Sequence, residues 1–110
     1  IAINYPGSSI ENDFRWAPMH PMVEAYKSYL QMPYDRPTWD LTSVLYSVEG
    51  PSYFNVSPAG KINVTDQGAT EFTPDAAGNR YYLTVDSIQA ENIKQHFVQL
   101  LTKQPAHFNK

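Results

Sequence analysis

The stretch RPTWDLTSVLYSVEG, residues 36–50, sets a proline, a tryptophan and an aspartate at the mouth of an amphipathic run. Leu41, Val44, Leu45 and Val48 recur at i, i+3, i+4 and i+7, the spacing of one helix face. That spacing predicts a helix from about Pro37 or Thr38 to about Val48, stopped by Gly50-Pro51. Trp39 and Asp40 then stand side by side in its first turn. The plain explanation is that Trp39 closes a core and Asp40 complements the helix dipole. The other is that both meet a ligand. Asp35 and Arg36, just upstream, read as solvated or paired with each other.

Working outward, HPMVEAYKSYLQ (20–31) predicts another helix, with Pro21 suited to its first position and a stripe of Met22, Val23, Tyr26, Tyr29 and Leu30. Met32-Pro33 ends it, because a residue before proline is pushed out of the helical region. Residues 1–18 show no clean period around their Pro6-Gly7-Ser8-Ser9 turn signal and read as an irregular segment that lies against something else or frays. Downstream the period changes. SYFNV (52–56) is strand-like, KINVT (61–65) and TEFT (70–73) read as a hairpin, and RYYLTV (80–85) as a further strand. Asp86 or Ser87 caps a last helix, and Gln89 completes a capping box if Asp86 is the cap. Its expected core stripe is Ile88, Ile93, Phe97, Leu100 and Leu101. Pro105 ends it, leaving residues 106–110 as a frayed tail. The order helix, helix, hairpin or meander, helix is an α+β arrangement.

At 110 residues the chain fits one domain, and 42% apolar against 17% charged residues mark it as globular rather than disordered. A net charge of −3 leaves no basic footprint, which argues against a nucleic-acid partner. The absence of cysteine removes disulfides, zinc-thiolate sites and thiol nucleophiles together. No apolar run reaches membrane-spanning length, so no membrane partner is expected. Ile1 in place of methionine reads as a cut, a processed end or a piece of a longer protein. His96 and His107 read as solvated, and His20 as the cap of the first helix.

The run from His20 to Phe72, followed by RYYLTV, resembles the C-terminal part of the inosine-uridine preferring nucleoside hydrolase family. It looks most like the bacterial branch that carries the RPTWDLTSVLY pattern, in which charge, proline, aromatic, aspartate and helix stripe fall in register. The resemblance spans about Pro6 to Pro105. It implies an α+β fragment of a larger α/β fold, and calcium-dependent cleavage of the N-glycosidic bond of purine ribonucleosides. Asp40 matches the family's calcium-binding aspartate at the start of a late helix. Trp39 matches the tryptophan that stacks on the base in purine-specific members, where pyrimidine-accepting ones carry histidine. Tyr34 and Arg36, with Tyr26 and Tyr29, fall where the family has a mobile segment closing over substrate. The chemistry suits these residue types: a hydrolysed riboside passes through oxocarbenium-like charge, and a protonated purine is favoured on an electron-rich ring. The family's Asp-x-Asp-x-x-x-Asp-Asp signature is missing, so the general base and most calcium ligands are not here. The expectation is an enzyme inactive as these residues alone, acting in a bacterial cytoplasm or periplasm as part of a longer chain. A severed fragment would also expose apolar surface and self-associate. The competing expectation is a non-catalytic binding or assembly module derived from the same fold, its tyrosines suited to a partner surface.

Overall fold

Tyr5, Ile10 and Phe14, which come from the aperiodic opening, are among the most deeply buried side chains of the molecule. A computed structural model describes residues 3–106. In it residues 3–18 carry only short elements and pack against the rest of the molecule. Strand β1 (Asn4–Tyr5) leads through a 3-10 turn (Gly7–Ser9) into a single helical turn, α1 (Ile10–Asp13). β1 pairs antiparallel with β2 (Arg36–Pro37), Asn4 opposite Pro37 and Tyr5 opposite Arg36. The pairing is locked at both ends. Thr38 donates its N–H and its hydroxyl to the Ile3 carbonyl, and the Gly7 N–H donates to Asp35 Oδ1 at 3.1 Å. Asp35 is therefore committed to the backbone, not to Arg36. Only glycine fits at position 7, where a Cβ would lie 1.7 Å from the Tyr34 carbonyl oxygen.

Helix α2 (Pro21–Tyr29) starts as its sequence predicts, with Pro21 at the first position and His20 Nδ1 accepting the Met22 N–H at 3.2 Å. It ends before Leu30, which is extended, and the two sequence-distal members of its stripe, Tyr29 and Leu30, lie exposed. Helix α3 (Trp39–Glu49) is stopped by Gly50, whose φ of 78° is open to glycine at no steric cost. Of its stripe only Leu45 is buried, joined by Thr42, while Val44 and Val48 face outward.

Two of the strands, those expected at 52–56 and 80–85, are shorter than their sequence suggests. Pro51–Tyr53 form a 3-10 turn, which confines β3 to Asn55–Val56. β3 pairs antiparallel with β6 (Leu83–Thr84), and Arg80, outside β6, bridges instead to Gly60, the residue that begins the next strand. β4 (Gly60–Val64) and β5 (Thr70–Pro74) form the expected hairpin. Its turn is helped by Gly68 at φ 82°. Every pairing is antiparallel.

Helix α4 (Ser87–Leu101) carries the capping box in full: Asp86 Oδ1 accepts the Gln89 N–H at 2.7 Å, and Gln89 Oε1 accepts the Asp86 N–H at 2.9 Å. Ile93 and Phe97 are buried, but Ile88 and Leu100 are exposed. α4 closes the core by packing on β1, and the Trp16 indole N–H donates to the Thr102 carbonyl at 3.1 Å. His96 is not solvated as expected. Its Nε2 lies 2.9 Å from the Glu49 carboxylate, and its ring stacks on Tyr53 with centroids 5.0 Å apart. His107 and most of the expected tail lie outside the described residues, and Ala106 is exposed.

The core joins Ile3, Tyr5, Ile10 and Phe14 to Val23, Tyr26, Leu45, Phe54, Ile93 and Phe97. It is small for the chain. The radius of gyration is 17.7 Å, where a compact domain of this length has about 13 Å. The accessible surface is 7836 Å², where a folded monomer of 12.5 kDa has about 6200 Å². Among the described residues no helix is long and apolar enough to cross a membrane.

Candidate functional site

The short β1–β2 ladder aims the mouth of α3. With Thr38 tied to Ile3, Trp39 and Asp40 begin the helix at the open end of that ladder. Both side chains are exposed, Trp39 by 60%. A tryptophan that closes a core is buried, so the anchoring explanation does not hold for this one. Together with Tyr5, Met22, Tyr26 and Arg36 they line an open concavity of about 380 Å³. The indole also borders a second hollow, shared with Thr42, Ser43, Tyr82 and Leu83.

Arg36 stands where two concavities meet. Its guanidinium lies 4.1 Å from the centre of the Tyr29 ring, a cation–π contact that holds it against α2. Tyr34 stacks on Tyr26 with centroids 5.1 Å apart and donates its hydroxyl to the Tyr26 carbonyl at 2.6 Å. These groups border a hollow of about 220 Å³ next to the first. The structure thus brings Tyr34, Arg36, Trp39 and Asp40 to one side of the molecule. Tyr34 is pinned in place; Trp39 and Asp40 remain open to solvent.

Burial dominates the electrostatics behind this wall. It pushes the Tyr5 phenol up to about 12, with smaller contributions from Asp13 and Tyr26. Tyr26 is raised first by burial, then by Tyr34 and Asp35, against an opposing pull from Arg36. The Tyr5 hydroxyl is buried with no hydrogen-bond partner among the described residues. His20 does not serve this site. Its ring stacks on Phe14 at 3.9 Å and lines a separate hollow with Glu11 and Arg15.

A calcium ion takes six to eight oxygen ligands. Among the described residues no group of His, Cys, Asp and Glu is arranged to hold a metal, and Asp40 offers one exposed carboxylate. These residues do not fit a calcium site by themselves. Tyr5 and Met22 are the wall residues that sequence reasoning missed. Tyr5 sits in a strand too short to show alternation, and Met22 looked like one more member of a helix stripe. Compared with protein-family models, with curated proteins and with solved structures, the chain matches none of them.

Proposed function

We propose that these residues form one wall of the active site of a calcium-dependent nucleoside hydrolase that acts on purine ribonucleosides. Trp39 stacks on the base and Asp40 supplies one oxygen to the metal. Arg36 and Tyr34 border the same cleft. On this reading the general base and the other metal ligands come from a longer protein, and the 110 residues alone are inactive.

The observation that carries the reading is the exposed Trp39 beside an exposed Asp40, on a concave wall that nothing in the described chain closes. A sealed Trp39 would have favoured the alternative, a non-catalytic binding module. The excess of accessible surface over that of a closed monomer is of the kind a missing body would remove.

The test is ribose release from inosine, adenosine and uridine by the protein isolated from its native source, with and without a calcium chelator. Purine ribosides should be cleaved, and the chelator should stop cleavage. Trp39→Ala should cut purine turnover by roughly ten- to a hundredfold, the worth of one base–aromatic stack. Asp40→Ala should abolish the calcium-dependent turnover. No release from any ribonucleoside, or full activity in both variants, overturns the proposal.

A further inference from the structure

The hairpin β4–β5 has one apolar face and two edges, and its hydrogen bonds show which groups on those edges are in use. Thr65 N–H donates to Ala69 at 2.8 Å and Asp75 N–H to Ala59 at 3.0 Å. In an antiparallel ladder this parity turns the backbone groups of Lys61 and Asn63 toward β5 and those of Gly60, Ile62 and Val64 away from it. Gly60 confirms it, exchanging bonds with Arg80 at 2.9 and 3.0 Å on the outer side. Beyond Gly60, the outward N–H and C=O groups of Ile62 and Val64 have no partner among the described residues. Their side chains share a face with Phe72, across from Ile62, and are themselves 49% and 68% exposed. An unpaired edge beside an exposed apolar face is a template for another strand.

We propose that a second copy of this chain adds to the outer edge of β4, joining two hairpins about a two-fold axis at Asn63 into one antiparallel sheet. This register uses every free group of Ile62 and Val64 and stops where Arg80 already occupies Gly60. It sets Ile62 against Val64 of the second copy, and Val64 against Ile62, so the apolar face becomes continuous. Charge selects this edge over the other. Asn63 meets Asn63 and Lys61 meets Thr65, with no like charges opposed. The same operation on the outer edge of β5, where Thr70 and Phe72 face out, sets Glu71 directly against Glu71, which is destabilising. Pro74 also denies that edge a donor. An isologous contact of this kind closes as a dimer. It rests on the hairpin alone and is independent of the proposed activity.

The natural absence of cysteine makes the test direct. Asn63→Cys places the new thiols across the axis in a non-hydrogen-bonded pair, within reach of a disulfide. Under mild oxidation this variant should convert mainly to a covalent dimer, while Thr73→Cys, exposed on the same face of β5 with Glu71 kept in place, should stay mainly monomeric. Val64→Pro in the Asn63→Cys background removes a donor that points away from β5 and should lower the dimer yield roughly tenfold. Ile62→Lys in the same background, which leaves the backbone intact, should lower it likewise. Cross-linking of Asn63→Cys no better than that of Thr73→Cys overturns the proposal, whether the edge is free or another partner covers it. So does cross-linking that survives both Val64→Pro and Ile62→Lys.

Discussion

At the scale of single residues, Tyr5 is the most consequential side chain outside the α3 mouth. It is buried at the seam of β1, and its hydroxyl finds no partner among the described residues. An unsatisfied buried hydroxyl costs free energy that a phenyl ring does not. Tyr5→Phe should therefore raise stability by about 1 kcal/mol in urea unfolding at neutral pH. The same substitution should change the alkaline limb. The folded phenol holds its proton to about 12, above the ordinary value of 10.0. Its contribution is thus intact below pH 10.0 and is lost as pH rises toward 12. Unfolding free energy measured across that window should fall less steeply in Tyr5→Phe. Some slope should persist, because Tyr26 is raised as well. An unchanged slope would mean that Tyr5 does not titrate with unfolding. Trp39 makes the opposite case at this scale. It is exposed, so its worth lies in what it touches, and its substitution by alanine should leave stability within about 0.5 kcal/mol while, on the proposed function, cutting purine turnover by the roughly ten- to hundredfold given above.

At the scale of elements, what the sequence discloses depends on how local its cause is. The α4 start was legible because Asp86 and Gln89 satisfy each other within one turn. The β4–β5 hairpin was legible because all of its ladder is local. The strand β1 was not, since its partner lies some thirty residues on and two residues carry no period. Helix stripes identified helices but misjudged burial: Val44, Val48, Ile88 and Leu100 keep the spacing of a core face and yet face outward. The site was half legible in the same way. Trp39 and Asp40 are adjacent in sequence, whereas Tyr5 and Met22 reach the wall from other elements. The capping box also does more than end a helix, because the Gln89 and Asn55 side-chain amides exchange hydrogen bonds at 3.0 and 3.2 Å and so tie α4 to β3. Asp86→Ala should lower stability by about 1 kcal/mol, read as a shift of the urea midpoint, and Asp86→Asn should retain most of it. Equal losses in the two variants would assign the effect to charge rather than to the cap.

At the scale of the whole molecule, the chain measures 54 × 31 × 25 Å and exposes more surface than its mass requires. A groove of about 170 Å³ between α3 and α4, walled by Leu41, Val44, Val48, Phe97 and Leu100, is almost wholly apolar. The isolated chain should therefore enhance ANS fluorescence at neutral pH without denaturant, and paired Val44→Glu and Val48→Glu substitutions should cut that signal severalfold with little change in unfolding midpoint. A dark dye with the wild-type chain would show that the groove is closed in solution. The bond from Trp16 to Thr102 and the seat of α4 on β1 bear on how the molecule comes to be. The hairpin needs only its own turn to form and belongs to the microsecond class of events. The core needs its first and last elements together, across most of the chain, and pays the loop-closure entropy of that span before any contact rewards it. On a ribosome, the hairpin would be finished while Tyr5, Ile10 and Phe14 still waited for α4, so these residues stay uncovered until the last helix has emerged.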